Sequence, residues 1–188
     1  MSDPGERVRI AVIDYGMGNR RSVQKAFQHA GAAATITRDP DELMAADGLV
    51  LPGVGAFPLA MRNLDDLGLS KLILAAATRE TPLLGVCLGM QLLFDRSEEL
   101  EETAGLGLLA GAVTPLRVTN LRVPHIGWNE VSFKRGSPLT EGLPEQGCPF
   151  YHVHSLVVRP DDPAVVVAST EYGEDFATIV DRGSVFGV

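Results

Sequence analysis

The sequence of 188 residues has few cysteines, few aromatic residues and no long apolar run. Its two cysteines, Cys87 and Cys148, do not lie in a spacing typical of a metal site. A chain of this length with 45% hydrophobic residues can build a full core without a disulfide bond. The longest apolar stretches, around residues 72–77 and 83–86, are far shorter than the roughly 20 residues of a bilayer-spanning helix. We therefore expect no metal, no disulfide framework and no membrane segment.

Positive charge is also scarce. The chain carries 16 Lys and Arg against 24 Asp and Glu, a net charge of −8, which opposes binding to nucleic acid phosphates. The N-terminal sequence is polar and leads straight into a strand pattern, without the apolar segment and cleavage site of a secretory signal. These absences predict a cytoplasmic protein with neither nucleic acid nor membrane as its partner.

Short β-rich runs alternate with helix-like segments in the first half of the chain, which is typical of βαβ units and a largely parallel sheet. A strand is predicted over 9–15, and helices over 22–30, 58–64 and 70–79, the last with Ser70 as its N-cap. The second half shows strand patterns with little helix between them, at 113–118, 129–133, 151–158, 165–170, 177–181 and 185–188. Because no linker separates the halves, we expect one α/β domain over 8–188 after a flexible N-terminus, residues 1–7.

Cys87 stands between Gly85 and Gly89, after a strand-like run and before a helix-like one. The spacing G-x-C-x-G is the thiol version of a nucleophile elbow, a strained turn in which side chains two residues either side would collide with neighbouring backbone. The turn would expose the sulfur above the sheet, and the start of the following helix would favour the thiolate. The alternative is a buried cysteine that acts as a small hydrophobe in an ordinary turn.

A nucleophilic thiol needs donors for the oxyanion that develops on its substrate. One donor in elbow enzymes is the backbone N–H directly after the nucleophile, here that of Leu88. The second would come from PGVGAF, residues 52–57, which ends another predicted strand on the same sheet edge and whose glycines allow close approach to a substrate. Alone, this hexapeptide would be an ordinary glycine-rich turn, but its pairing with the elbow favours an oxyanion loop.

Four motifs carry a resemblance to a known family: LLGVCLGMQ at the elbow, DYGMGNRRS at 14–22, PGVGAF at 52–57 and PHIGWN at 124–129. The elbow is similar to that of the class I, or triad, glutamine amidotransferases. The combination resembles the glutaminase subunits of imidazole glycerol phosphate synthases, which serve histidine biosynthesis, over residues 8–188. The resemblance implies a flavodoxin-like α/β fold with a central, mostly parallel sheet, helices on both faces and a strand-rich C-terminal half.

The resemblance also implies how each motif would act. Cys87 would attack the side-chain amide of glutamine to form a γ-glutamyl thioester, with loss of ammonia and then hydrolysis to glutamate. Gln91, one helical turn further on, would contact the substrate, and His154 and Ser155 would belong to the segment that binds its amino-acid end. The oxyanion would be held by the backbones of Gly53, Val54, Gly55 and Leu88.

A partner is implied as well, namely a cyclase subunit built as a (β/α)₈ barrel through which the ammonia passes, while no cofactor is implied. Without the resemblance, His152 and His154 would be interpreted as surface or edge residues, and Trp128 as a core aromatic. With it, the family pattern places six residues at the interface with the cyclase: Asn19, Pro124, His125, Gly127, Trp128 and Asn129.

The sequence departs from the family at its catalytic base. The superfamily has a His, oriented by a Glu two residues later, directly after a strand resembling residues 185–188, and the sequence stops at Val188. General-base assistance is typically worth about 10²–10⁴-fold, so we expect this polypeptide alone to be a poor glutaminase. One hypothesis is that the chain is truncated. The other is that His152 or His154 substitutes for the base.

Two other functions remain open from the sequence. One is a catalytically silent module that only docks on a barrel partner, which the missing base favours and the intact Cys87, Gln91 and PGVGAF oppose. The other is a class I amidotransferase that serves a different synthase. Labelling of Cys87 by a glutamine analogue and complex formation with the cyclase would distinguish these alternatives.

Overall fold

The computed structural model describes residues 7–188, so the predicted flexible stretch 1–7 lies outside the described residues except for Arg7. Within them, no helix is long and apolar enough to cross a membrane. The helices are α1 (Arg20–His29), α2 (Pro40–Ala45), α3 (Phe57–Asp66), α4 (Leu69–Thr78) and α5 (Leu88–Leu92). The strands are β1 (Arg9–Ile13), β2 (Ala33–Thr37), β3 (Gly48–Gly53), β4 (Leu83–Cys87), β5 (Phe94–Ser97), β6 (Thr103–Ala104), β7 (Leu109–Pro115), β8 (His125–Phe133), β9 (Gly147–His154), β10 (Leu156–Pro160), β11 (Val166–Glu171), β12 (Asp175–Arg182) and β13 (Val185–Gly187).

The strands form one branched sheet whose main path runs β2-β1-β3-β4-β13-β12-β10-β7-β5-β6. The first five strands along this path are parallel to one another. From β12 to β7 the neighbours are antiparallel, and β5 returns parallel to β7. The predicted α/β fold, with a parallel core and a strand-rich C-terminal half, is confirmed.

Helices cover both faces of the parallel region. Ala11, Ile13 and Leu51 point to the face where they pack with buried residues of α3 and α4 such as Leu64 and Ile73. Residues that alternate with them along the same strands point to the opposite face, where α1 contacts β1 and β2. None of the residues of α1 is fully buried.

The start of α4 differs from the prediction. Ser70 lies inside the helix, which begins at Leu69 directly after Gly68. Gly68 adopts a left-handed conformation with φ of +69°, which lets the chain turn from α3 into α4 within two residues. The Ser70 hydroxyl instead donates to the carboxylate of Asp65, near the end of α3.

The predicted strand over 151–158 is two strands, β9 and β10, separated by Ser155. The chain changes partners at this residue, because β9 pairs with β8 whereas β10 pairs with β7 and β12. The sequence patterns also miss the short strands β5 and β6, which have too few residues to show the alternation of apolar and polar side chains typical of a strand.

Strands β8 and β9 form an antiparallel hairpin, called the ribbon below, over His125–Phe133 and Gly147–His154. Its backbone joins the rest of the sheet through β11, where Ala168 pairs with Phe133 and Ser169 pairs with Ser132. From 125 to 131, β8 pairs only with β9. The ribbon therefore projects from the sheet as an arm.

Candidate active site

Cys87 occupies a strained turn between β4 and α5. It is the last residue of β4 and the residue directly before α5, as the elbow pattern predicts. Its backbone has φ of +56° and ψ of −114°, a combination that residues other than glycine rarely adopt. Such a conformation costs of order 1–3 kcal/mol and persists only where the surroundings impose it.

The flanking glycines explain what imposes this conformation. A Cβ atom on Gly85 would lie 2.6 Å from the carbonyl oxygen of Gly89, and one on Gly89 would lie 1.8 Å from that of Leu51. Real Cβ atoms do not approach other atoms so closely, so each position accepts only glycine. The predicted steric reason for the G-x-C-x-G spacing is confirmed.

The glycine-rich loop lies beside the elbow. Gly53 ends β3 and is the direct register partner of Cys87 at the end of β4. A Cβ atom on Gly53 would lie 2.7 Å from the Cβ atom of Leu88 and 2.9 Å from the backbone nitrogen of Gly89, so the loop packs closely against the start of α5. Val54 and Gly55 follow on the surface side, and Val54 is exposed.

Tyr15 supports this loop from below. Its hydroxyl donates to the carbonyl oxygen of Pro52 at 2.7 Å, and the residue is fully buried. Burial, with Cys87 as a smaller cause, raises the pKa of Tyr15 above its usual range, so the phenol stays protonated and remains a donor. The peptide that leads into Gly53 is therefore held by a buried side chain from β1's carboxyl end.

The thiol of Cys87 has a raised pKa, contrary to the expectation that the helix start favours the thiolate. Burial of the sulfur among apolar neighbours raises the pKa, and the N–H of Leu88 lowers it by less. The helix has only five residues, so its dipole is weak. Cys87 nevertheless reaches solvent. At neutral pH it rests as a thiol and needs a base to become nucleophilic.

A pocket of about 300 Å³ opens at the thiol, a volume at the small end of those that bind metabolites. Gln91, which is buried on α5, lines the pocket together with Cys87, and His154 lines its opposite wall on β9. The other predicted oxyanion and substrate residues, Gly53, Val54, Gly55, Leu88 and Ser155, do not contribute to this lining. The walls are mostly apolar, formed by side chains such as Val86, Met90, Phe176 and Val188.

Val188 carries the chain to the edge of this pocket. Its carbonyl oxygen accepts from the Cys87 N–H at 2.7 Å, and its own N–H donates to Gly85 at 3.0 Å. The last strand, β13, therefore runs beside the nucleophile, parallel to β4.

Both ring nitrogens of His154 are occupied. Its Nδ1 lies 3.0 Å from the carbonyl oxygen of Leu156, and its Nε2 lies 2.9 Å from Nδ1 of His125. In this arrangement neither ring nitrogen of His154 is free to accept a proton from Cys87, which disfavours His154 as a substitute base. The Nδ1 of His152 meets the carbonyl oxygen of Phe150 at 3.0 Å, and no group among residues 7–188 hydrogen-bonds its Nε2.

The residues predicted at the partner interface lie in different environments. Pro124 and Trp128 are exposed, whereas the side chain of His125 is buried at 3% and cannot itself meet a partner. Asn129 faces inward, since its amide nitrogen donates to the carbonyl of Glu171 at 2.9 Å, and Gly127 is half-buried in the same strand. Asn19 is exposed and caps α1 by accepting from the Ser22 N–H.

The interpretation of Trp128 as a core aromatic is wrong, because its side chain is 73% exposed. Sequence reasoning missed the residues that surround it on the outer face of the ribbon, where Trp128 pairs with Tyr151 and Ile126 pairs with Val153. These three neighbours are 55–58% exposed. Alternation within β9 already separates Tyr151 and Val153 from the histidines, but the partner strand and register were needed to assemble the face.

A strained cysteine elbow beside a glycine-rich loop, at the carboxyl edge of a parallel sheet, defines a class I glutamine amidotransferase. The family model described as glutamine amidotransferase class-I matches residues 11–188. A crystal structure of a glutamine amidotransferase shares the fold with a TM-score of 0.73 at 20% identity, over 95% of this chain and 87% of that one.

Two curated relatives are more specific. The chain is 51% identical over 179 residues to imidazole glycerol phosphate synthase subunit HisH of Moorella thermoacetica, covering 95% of this chain and 84% of that protein. It is 50% identical over 183 residues to the same subunit of Geobacillus kaustophilus, covering 95% of this chain and 86% of that protein. The chain belongs to the HisH family of class I glutamine amidotransferases, as its motifs predict.

Proposed function

We propose that this protein hydrolyses glutamine to glutamate and ammonia and supplies the ammonia to a cyclase that forms imidazole glycerol phosphate in histidine biosynthesis. The observation that carries the proposal is the strained backbone of Cys87, held in register with Gly53 at the mouth of a metabolite-sized pocket. Its relatives are named as subunits of that synthase. A structural cysteine would gain nothing from a turn that costs of order 1–3 kcal/mol.

The reaction proceeds in two steps. The sulfur of Cys87 attacks the side-chain carbonyl carbon of glutamine, the C–N bond breaks, and the nitrogen leaves as ammonia with the proton released by the thiol. Water then attacks the thioester carbon, which releases glutamate and returns the proton to the sulfur. The negative oxygen of each tetrahedral intermediate would accept from the Leu88 N–H and from the backbone of the 53–55 loop.

The raised pKa of Cys87 makes a base necessary in the first step. The family resemblance assigns this role to a His that follows a strand equivalent to β13, and Val188, the residue directly after β13, accepts from the Cys87 N–H. Of the two histidines that could substitute, only His152 keeps an Nε2 without a hydrogen-bond partner among the described residues.

The cyclase would dock on the outer face of the ribbon. Ile126, Trp128, Tyr151 and Val153 form a contiguous exposed apolar group, with the Trp128 and Tyr151 rings in edge contact at 5.7 Å. Exposed apolar patches of this kind mark interaction sites, and aromatic residues dominate binding energy at interfaces. The functional unit would be a cytoplasmic heterodimer, with residues 8–188 as a single amidotransferase domain and Asn19 and Pro124 at the rim of the interface.

The test is labelling by a glutamine analogue, 6-diazo-5-oxo-L-norleucine, together with ammonia release in the presence of the cyclase. We expect Cys87→Ala to abolish labelling and to lower ammonia release by about 10⁴-fold or more. Cys148→Ser is the matched control, because Cys148 lies in β9 opposite Val131 and outside the pocket lining. It should retain both.

Other outcomes would identify the rival functions. An unlabelled Cys87 in the cyclase complex would contradict the proposal and support a silent docking module. Labelling without any binding to the cyclase would instead indicate an amidotransferase that serves another synthase.

A further inference from the structure

Three histidine rings lie together on the inner face of the ribbon, opposite the exposed apolar face. His125 of β8 pairs in register with His154 of β9, and His152 lies two residues earlier on the same face of β9. The ring of His125 lies 5.0 Å from each of the other two, measured between centroids. Neither the nucleophile nor the oxyanion loop requires His125, so its burial calls for another explanation.

The hydrogen bonds of this cluster have one possible direction when the rings are neutral. Nδ1 of His154 faces the carbonyl oxygen of Leu156, which can only accept, so Nδ1 carries the proton and Nε2 is an acceptor. Nδ1 of His125 lies 2.9 Å from that Nε2 and must therefore be the donor. Nε2 of His125 is left as an acceptor in turn.

Asn129 completes a chain of hydrogen bonds, called the relay below. Its Oδ1 accepts from the Glu130 N–H at 2.9 Å, which fixes the amide so that its nitrogen points to the interior. That nitrogen donates to Glu171 at 2.9 Å and lies 3.4 Å from Nε2 of His125. The direction therefore runs from Asn129 through His125 and His154 to the carbonyl of Leu156.

Packing holds the His125 ring in one orientation. It stacks on Tyr172 with a centroid distance of 3.9 Å and meets the edge of Phe176 at 6.2 Å. Burial lowers the pKa of His125 to about 4, with His154 and His152 as smaller causes, and burial also lowers the pKa of His154. Both rings are neutral at pH 7, as the relay requires.

We propose that His125 is a positioning residue, which by donating to Nε2 holds the His154 ring in place on the Leu156 carbonyl and thereby fixes the bend at Ser155. His154 bridges this bend by donating to Leu156, two residues further on, at the point where the chain leaves the ribbon for the main sheet. The inner face of the ribbon is thus tied to the bend, while its outer face carries the proposed docking residues. The ring of His154 thus supports the bend from the wall of the pocket.

The consequence for glutamine rests on the proposed function. If the segment around Ser155 binds the amino-acid end of glutamine, loss of the relay should weaken substrate binding and leave the chemistry at Cys87 largely intact. The effect should then appear in KM for glutamine much more than in kcat.

The relay is tested first by long-range ¹⁵N–¹H correlation spectra of the wild-type protein. Free neutral histidine favours the Nε2–H tautomer, whereas the relay requires Nδ1–H on both His125 and His154. The chain has four histidines, so His29→Asn and His152→Gln variants identify the remaining two signals as those of His125 and His154, and the relay requires the same tautomer in both. An Nε2–H tautomer on either ring would overturn the proposal, whatever the protein catalyses.

The second test compares two variants in the complex with the cyclase. His125→Asn keeps an N–H donor near the position of Nδ1, whereas His125→Leu keeps bulk and removes the donor. We expect His125→Leu to raise KM for glutamine about tenfold with kcat within about threefold, and His125→Asn to recover most of the loss. His29→Leu is the control, because His29 is exposed on α1, and its KM should not change.

Equal KM values for wild type and both His125 variants would overturn the positioning role, even if both variants were less stable. Should His125→Leu fail to fold, the wild-type tautomers and His125→Asn still decide the question. A wild-type complex that hydrolyses no glutamine would contradict the proposed function, whereas the tautomers would still test the relay independently.

Discussion

The elbow and the ribbon line the same pocket, but different interactions hold them in place. Around Cys87 the backbone is fixed by close contact, with Gly85, Gly89 and Gly53 each leaving no room for a Cβ atom. In the ribbon beside His125, a Cβ atom on Gly127 would meet nothing within 4 Å, and a stacked and hydrogen-bonded set of side chains determines the position of the backbone there. The elbow wall of the pocket is therefore held by close backbone packing, and the ribbon wall is held by specific hydrogen bonds and ring stacking.

The difference matters for how the two walls can respond to a partner. A tightly packed backbone has no second arrangement of similar free energy, because any shift meets another backbone atom. A hydrogen-bonded arm can change its angle if one bond is exchanged for another. We expect the nucleophile to remain fixed while the substrate-facing strand adjusts when the outer face of the ribbon is covered.

The largest effect should come from breaking the packed wall. Gly89→Ala places a methyl group 1.8 Å from the carbonyl oxygen of Leu51, and neither backbone can yield without disrupting the sheet. We expect the free energy of unfolding to fall by about 3 kcal/mol or more, or folding to fail. Urea titration followed by circular dichroism measures this loss.

Gly136→Ala is the matched control for that experiment. A Cβ atom at Gly136 would meet nothing within 4 Å, and the residue does not have a positive φ. Its free energy of unfolding should change by no more than about 0.5 kcal/mol. Equal effects at both glycines would show that the packing argument is wrong.

An intermediate effect should come from the outer face of the ribbon. Trp128→Ala removes the most exposed aromatic ring of that face, and we expect the affinity for the cyclase to fall by about 30-fold, or about 2 kcal/mol. Thermal stability should change little, because the ring is exposed. Calorimetric titration with the cyclase checks this, and Leu74→Ala on α4 serves as an exposed apolar control. An unchanged affinity of Trp128→Ala for the cyclase would show that the cyclase docks on another surface.

The smallest effect should come from the support beneath the oxyanion loop. Tyr15→Phe keeps the ring and removes the hydroxyl that donates to Pro52, so we expect about 1–2 kcal/mol less stability and a kcat about tenfold lower with KM almost unchanged. Tyr172→Phe is the stability control, since its hydroxyl donates to the carbonyl of Arg122 in an exposed loop. A loss of stability with no change in kcat would limit Tyr15 to a structural role.

The packed wall could be predicted well from sequence because its constraints are local. The spacing of Gly85, Cys87 and Gly89 is enough to indicate a strained turn, and the strand before it follows from a short apolar run. The activation of the thiol could not be predicted, since the pKa depends on the apolar side chains that surround the sulfur in three dimensions.

The ribbon was harder to predict because its properties depend on pairing between distant segments. Trp128 and Tyr151 belong to one face only because β8 and β9 pair in a particular register, across an intervening stretch of 13 residues between Phe133 and Gly147. The same register brings His125 to His154. A one-residue slip would reverse which side chains face solvent, and nothing local in either strand excludes it.

The strained conformation of Cys87 also places stability and activity in opposition at a single residue. Glycine would adopt φ of +56° and ψ of −114° at far lower cost than cysteine, so the most stable version of this turn contains no nucleophile. Selection for robustness alone would therefore tend to erase the thiol. The presence of cysteine at this position is therefore explained by its chemistry and not by its contribution to stability.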